Sequence, residues 1–510
     1  MRTFILILLA AATMFGQSVV ELRQPNSSKI IIKLRFANGS IADPKGKEGL
    51  TAATANLITQ GGTATMSFSD IQDRIYPWAA GYYAQVDKEV TTFTFMVPKD
   101  FLSEFYPIMR DLMLAPAFAD EDFQRVMKNQ QNYVDQVIRA SSDEEYSKKA
   151  LEDLLFRGTN YQSMVQGKSA SVKSITLQDI KDHYANVFTK GNLTIGIAGG
   201  YTPEFLAMLK ADMAKLSAKK FVQPAAGKAN MPDGVRVEII AKDNAFGSAI
   251  FTGTPLAITR SSKDFAALMV ANSYLGEHRK SYGLLYQKIR EVRSMNYGDY
   301  SYIEWYNNGG GNMLPPSGVP RSSNYFALWI RPVQIAKQLK VQYKELSDIS
   351  VGHAHFALRM AVREVDNIIK NGLSKADFEA TRAFLSSYIK LYVQSPNEQL
   401  GYLMDSKFYG RKDFTSEVGK EMAKLTVKDV NAAVKKYWRT DNMFVTIVTD
   451  KSEAEPLAKS LLENTPSPMS YSNAVKAGLP KEVLAEDDVV ATYRLNVKDV
   501  KIVDSKDTFQ

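Results

Sequence analysis

The sequence predicts an α+β fold that is made of two related halves. Its 510 residues are enough for several domains of about 100–200 residues each. With 45% hydrophobic and 23% charged residues, the composition is that of a globular protein and not of a disordered one. The third observation is an internal duplication, in which helix and strand signals recur in the same order.

The duplication is clearest towards the end of each half. Residues 175–180 align without a gap with residues 425–430, and residues 192–195 align with 442–445 at the same offset of 250. Each copy predicts a threonine N-cap, then an amphipathic helix, then a strand. Weaker matches upstream keep the same order: Asp122-Phe123 with Asp377-Phe378, and Ala55-Asn56 with Ala271-Asn272.

Composition changes suggest where the halves begin and end. We predict an N-terminal domain over residues 19–217 and a C-terminal domain over residues 235–465. The linker between them, 218–234, contains the proline and glycine residues that interrupt regular structure. Residues 466–510 form a C-terminal extension, in which the alternation at 489–495 predicts an edge strand.

The amino terminus predicts export. Arg2 precedes an apolar run over residues 4–12, and small residues follow near Gly16, which is typical of a secretory signal peptide over residues 1–18. The run is too short to span a bilayer, and no later segment has the required length and apolarity. We therefore expect a periplasmic or secreted protein, and one without disulfides because it has no cysteine.

Charge and histidine content narrow the possible ligands. The net charge of +8 is spread along the chain, which favours an acidic protein or peptide partner over nucleic acid. His353 and His355 are the only close pair among the four histidines, and they open a predicted helix that would point them apart. We predict no metal role for them, and a surface or packing role for His183.

The segment before and within residues 49–57 carries a family resemblance. A Gly39-Ser40 turn and a Pro44-Lys45-Gly46 stretch precede a predicted helix, as in the M16 (pitrilysin/insulinase-type) metallopeptidases. In that family the helix bears His-x-x-Glu-His. Here the positions of the two histidines and the general-base glutamate hold Ala52, Asn56 and Ala55, and the third ligand, six residues after Arg125, is Gln131. A hydrolytic zinc site needs about three His or carboxylate ligands, so the resemblance implies no metal in this chain.

A second family signature lies at residues 282–297, where a helix ending in Ile-Arg-Glu precedes a tyrosine. The resemblance implies that Arg290 and Tyr297, seven residues apart, reach towards the zinc centre. Two such donors would hold a scissile carbonyl and stabilise its oxyanion. Spacing alone also allows Arg290 to pair with Glu291 or Asp299, with Tyr297 as one of several strand aromatics.

The resemblance implies both a fold and a role. The fold would be two homologous M16-type halves, each a mixed, mainly antiparallel sheet packed by helices, which together form one half of a clamshell. The role would be that of the zinc-free subunit of a heterodimeric peptidase that is inactive alone. Its partner would carry zinc on His-x-x-Glu-His, and the substrates would be peptides. The alternatives are an inactive structural or peptide-binding homologue, and a lone chaperone-like peptide binder.

Overall fold

The computed structural model describes residues 18–140, 142–277, 283–306 and 314–510. The predicted signal peptide lies outside these residues, apart from Ser18. Among the helices of the described residues, none is long and apolar enough to cross a membrane.

Within the part of the N-terminal half that the structure describes, five strands form one sheet, and helices cover it. Its elements are β1 (Ser18–Arg23), β2 (Lys29–Phe36), α1 (Leu50–Gln60), α2 (Phe68–Ile75), β3 (Gly81–Val86), β4 (Thr91–Pro98), α3 (Leu102–Leu114), α4 (Asp120–Asn132), α5 (Ile138–Ala140), α6 (Asp143–Leu155), α7 (Ser169–Ser174), α8 (Leu177–Val187), β5 (Leu193–Gly199) and α9 (Pro203–Met213). The strand order is β1-β5-β2-β4-β3.

In the described residues of the C-terminal half, six strands form a second sheet. Its elements are β6 (Val235–Lys242), β7 (Ser248–Leu256), α10 (Phe265–Gly276), β8 (Asp299–Tyr302), β9 (Asn324–Val333), α11 (Ala336–Gln342), α12 (Ala354–Asn371), α13 (Lys375–Tyr392), α14 (Pro396–Phe408), α15 (Phe414–Lys424), α16 (Val427–Tyr437), β10 (Met443–Asp450), α17 (Lys451–Glu463), α18 (Asn473–Gly478), α19 (Lys481–Ala491) and β11 (Val497–Asp504). The strand order is β11-β6-β10-β7-β9-β8.

The two sheets share one topology, which confirms the prediction of two related α+β halves. In each sheet the first pair, β1–β5 or β6–β10, is parallel, and the remaining shared pairs are antiparallel. The threonines predicted as N-caps cap α8 and α16 through matching capping boxes, Thr176 with Asp179 and Thr426 with Asp429. The C-terminal sheet differs by one added edge strand, β11, which pairs with β6 in parallel.

The edge strand of the extension lies later than predicted. Residues 489–491 belong to α19, and the strand is β11, so the prediction of a strand at 489–495 is wrong. The helix buries Asp487, Val490 and Ala491 on one side and leaves Val489 exposed. A short valine pair fits a helix face as well as a strand, and its packing decided the outcome.

One helix of each half packs on the sheet of the other half. Helix α6 packs on β7 and β10, and its Ser147 Oγ lies 3.0 Å from Thr446 Oγ1. Helix α14 packs on β1 and β5, where Leu400 and Met404 form an apolar cluster with Ala198. The halves are therefore interlocked through both sheets.

A buried ion network also joins the halves. Arg321 donates to both carboxylate oxygens of Asp87 at 2.7 Å and to Glu152 Oε1 at 2.6 Å. Both acids lie in the N-terminal half, and all three side chains are buried. A second buried group links Arg35 of β2 to Asp405, Arg260 and Glu304 of the C-terminal half.

Candidate functional site

Helix α1 carries three of the four degenerate zinc positions, and backbone N–H groups at its N-terminus are hydrogen-bonded to a carboxylate. Gly49, the N-cap, has a positive φ of 100° that a residue with a side chain rarely adopts. Asp43 accepts hydrogen bonds from the Gly49 and Thr51 backbone N–H groups, each at 2.8 Å. Burial raises the pKa of Asp43 to about 7, although these bonds favour its ionised form.

The side chains of α1 fill space and offer no ligands. Ala52 and Ala55 are buried, and Asn56 is half-buried. Ala53 and Leu57 pack with residues of α4, and Ala55 packs in the core of the N-terminal sheet. An alanine has no donor atom beyond its backbone, and a single amide cannot replace two imidazoles and a carboxylate.

The amide of Gln131 is bound by side chains of α7 and of the π-helical turn Tyr133–Val137 that follows α4. Its Nε2 donates to Asp135 Oδ2 at 2.6 Å and to Ser169 Oγ at 3.2 Å. The preceding residue, Gln130, donates to the Gly49 carbonyl at 2.9 Å, so that it braces α4 against the start of α1. The residues at these positions do not fit a zinc ion.

The three histidines within the described residues are packing residues, and His278 lies outside those residues. His183 is buried, and its Nε2 lies 2.9 Å from Thr51 Oγ1 on α1. Burial lowers its pKa to about 4. His353 and His355, at the start of α12, contact the Ser470 carbonyl and Ser460 Oγ respectively. Among residues 18–140, 142–277, 283–306 and 314–510, no cluster of three or more His, Cys, Asp or Glu could hold a metal ion.

Arg290 and Tyr297 are brought together in the C-terminal half. Arg290 lies in a π-helical turn, Tyr286–Glu291, and Tyr297 lies just before β8. The Arg290 guanidinium carbon is 4.6 Å from the centroid of the Tyr297 ring and equally far from that of Tyr286. Its Nη1 donates to the Tyr286 hydroxyl at 2.6 Å. The Tyr297 side chain remains 65% exposed.

The charge of Arg290 is not neutralised by a neighbouring acid in the described part of the chain. Within it, the Arg290 side chain forms no ion pair, and it contacts Tyr286 and Tyr297. Asp299, one alternative partner, is buried and accepts a hydrogen bond from Asn296 Nδ2 at 2.8 Å. An arginine without an acid partner, beside an exposed phenol, can donate to a carbonyl or carboxylate that approaches from solvent.

The other aromatic residues of this segment are core. Tyr300, Tyr302, Trp305 and Tyr306 are buried, and they pack with Trp329 against side chains of α6. The rings of Tyr300 and Trp329 stack with centroids 4.3 Å apart. Exposure therefore separates Tyr297 from the tyrosines that follow it.

Sequence reasoning missed two residues that flank this pair. The Arg331 guanidinium lies 5.3 Å from the Tyr297 ring centroid, on the neighbouring strand β9. Its Nε donates to Glu144 Oε1 at 2.6 Å, in the first turn of α6. No local pattern signals either residue, because Glu144 belongs to the other half of the chain.

Two family models match most of the structured chain. The model described as Insulinase (Peptidase family M16) matches residues 18–168, and the one described as Peptidase M16 inactive domain matches residues 174–316. Together they cover more than half of the sequence. The chain belongs to the M16 family.

A curated relative and solved structures are similar to the chain over most of its length. The "Non-peptidase homolog YmxG" of Helicobacter pylori (strain ATCC 700392 / 26695) is 20% identical over 425 residues, which are 83% of this chain and 89% of the relative. An M16 inactive domain from Pseudomonas fluorescens has a TM-score of 0.71 at 17% identity, over 85% of this chain and 96% of that one. A Helicobacter pylori protease has a TM-score of 0.68 at 14% identity, over 85% and 97%.

The same fold recurs in a third solved structure. A chain of Complex III2 from Candida albicans has a TM-score of 0.66 at 14% identity, over 85% of this chain and 94% of that one. At such identities the likeness to solved structures concerns the fold alone. The family models place the chain in the M16 family, and the likeness to solved structures agrees with them on the fold.

Proposed function

We propose that this chain is the non-zinc subunit of an exported heterodimeric M16 metallopeptidase. In this proposal Arg290 and Tyr297 act in trans on a peptide held at the zinc of a partner subunit that carries His-x-x-Glu-His. The observation that carries the proposal is the contrast within one chain. The zinc positions hold alanine and amide side chains, whereas the half-buried Arg290, without an ion pair among the described residues, lies beside the exposed Tyr297.

The partner's zinc would polarise the scissile carbonyl and activate the attacking water. This chain would contribute the charge of Arg290 and the hydroxyl of Tyr297. Arg290 is permanently protonated, and a donor aimed at developing negative charge stabilises the transition state more than the ground state. The pair would therefore act mainly on kcat.

Reconstitution tests the proposal. The chain alone, the co-purified His-x-x-Glu-His partner alone, and the mixture are assayed on fluorogenic peptides, and only the mixture should turn over. R290A and Y297F should lower kcat by about 10²-fold without preventing assembly. R74A and Y76F, exposed positions in the N-terminal half, are the matched controls and should retain full turnover.

Normal turnover of the R290A complex would refute the catalytic role. The alternative, an inactive structural or peptide-binding homologue, is supported by the description of the curated relative as a non-peptidase homolog. It predicts that no zinc-bearing sibling co-purifies with the native protein.

Export is part of the proposal and rests on the amino-terminal sequence. The basic residue and apolar run at residues 1–18 should direct secretion and be removed. Mass spectrometry of the native protein tests this, since the full-length N-terminus in the mature protein would contradict it.

A further inference from the structure

The ring of Tyr297 lies against two guanidinium groups, not one. Arg290 is 4.6 Å from its centroid and Arg331 is 5.3 Å from it. A guanidinium near an aromatic ring is attracted to the negative potential of its face. Since Tyr297 is largely exposed, these contacts are a principal restraint on where its hydroxyl points.

The two arginines differ in how they are held. Arg290 forms no ion pair within the described residues, whereas Arg331 donates to Glu144 at 2.6 Å. The side chains of Arg331 and Glu144 are 31% and 15% exposed, so the pair is partly shielded from water. A charged hydrogen bond of this length fixes the guanidinium more firmly than an exposed ion pair does.

The backbone turn that carries Tyr297 is attached to the same strand. Ser294 adopts a positive φ of 51°, and Asn296 Nδ2 donates to the Arg331 carbonyl at 3.1 Å. Asn296 also donates to Asp299 at the start of β8. Arg331 therefore contacts the turn through its carbonyl and the Tyr297 ring through its side chain.

We propose that Arg331 is a positioning residue that holds Tyr297 beside Arg290, and that Glu144 of the N-terminal half holds Arg331 in turn. The Arg290–Tyr297 pair then depends on both halves, because α6 packs on the C-terminal sheet and presents Glu144 at that sheet's β9. The assignment of a catalytic setting rests on the proposed function. The positioning itself is a property of this chain alone.

A fluorine label tests the positioning without a partner. The full chain is made with 3-fluorotyrosine at position 297, and its ¹⁹F resonance is compared with those of the E144Q, R331M and E144D variants. E144Q and R331M should shift the resonance towards that of free 3-fluorotyrosine, and E144D should restore most of the wild-type shift. D153N is the matched control, because Asp153 lies on the same helix as Glu144 and forms an ion pair with Arg157 just beyond the helix, with 19% and 45% exposure.

An unchanged resonance in both E144Q and R331M would overturn the inference, as would an equal shift in D153N. Equal thermal midpoints of E144Q and D153N show that the fold is retained. In the reconstituted complex, E144Q should lower kcat about tenfold with a smaller change in KM, and E144D should recover it. If R290A abolishes turnover and E144Q does not, the positioning role is refuted and the proposed function stands. If R290A keeps normal turnover while E144Q shifts the ¹⁹F resonance, the proposed function is refuted and the positioning role stands.

Discussion

Replacing Arg321 by methionine should lower the free energy of unfolding by about 4 kcal/mol. Arg321 is 2% exposed and binds two buried acids of the other half, Asp87 and Glu152. Methionine keeps the unbranched stem as far as the position of Nε, but it lacks the guanidinium group and leaves two carboxylates without their arginine. Breaking a buried ion pair by removing one partner usually costs about 3–5 kcal/mol, because the remaining charge is buried and unpaired.

The pKa of Glu152 gives a second measure of this magnitude. Burial would raise it, but the attraction of Arg321, followed by Lys149 and Lys88, outweighs burial and lowers it from 4.5 to about 2. At about 1.4 kcal/mol per pKa unit, this lowering corresponds to roughly 3 kcal/mol, of which Arg321 is the largest favourable contributor. Because the pKa is lowered in the folded state, this stability is present above pH 4.5 and is lost as the pH falls towards 2. Asp87 accepts two further hydrogen bonds from Arg321, one at each carboxylate oxygen.

Urea unfolding at pH 7 measures the effect. K375M is the control, since Lys375 and Glu379 form an exposed pair whose loss should cost at most about 0.5 kcal/mol. The triple variant R321M/D87N/E152Q should recover part of the stability, because the two carboxylates that lost their arginine are then neutral, although Lys149 in turn loses its ion pair with Glu152. A loss below about 1 kcal/mol in R321M, with an unchanged denaturant slope, would refute the reasoning.

Three further predictions concern a glycine, a buried acid and the chain end. Gly167 has a φ of +86°, and an added Cβ would lie 2.0 Å from the Glu48 carbonyl oxygen, whereas Gly158 has a φ of +84° and open space around it. G167A should therefore lower the free energy of unfolding by about 2 kcal/mol more than G158A does. Equal urea midpoints of the two variants would contradict this. Burial raises the pKa of Asp299 to about 8, so its stabilising contribution is lost as the pH rises to 8. Wild type should lose up to about 4 kcal/mol relative to D299N between pH 5 and pH 8, and parallel pH profiles would show that the shift is absent. Phe509 packs on both an N-terminal cluster and the contact of α6 with the C-terminal sheet, so F509A should cost about 2 kcal/mol in urea unfolding, and no loss would mean that this contact is not stabilising.

Much of the fold could be predicted because its signals are local. The threonine caps of α8 and α16, with the helices and strands that follow them, repeat as contiguous patterns. Propensity and capping depend on near neighbours in the chain, so a duplicated sequence predicts a duplicated topology. The added edge strand was misplaced because a valine pair does not determine whether its backbone is helical or extended.

The candidate site is likewise only partly predictable from the sequence. The loss of the zinc ligands can be identified from the sequence, because residues 52–56 are contiguous on α1 and none of them is His or Glu. The Arg290–Tyr297 spacing was likewise visible, but not whether Arg290 would pair with a nearby acid. Only the packing showed Tyr297 exposed and Asp299 bonded to Asn296.

From the amino-acid sequence alone, we predict two related α+β halves, a helix without zinc ligands, and the two donors Arg290 and Tyr297 seven residues apart. The tertiary structure decided that α6 and α14 cross to the opposite sheets and that Arg321 joins the halves through buried acids. It also decided that Glu144 reaches Arg331 beside Tyr297. These contacts join residues far apart in the chain, so they depend on how two sheets pack together and not on the order of neighbouring residues.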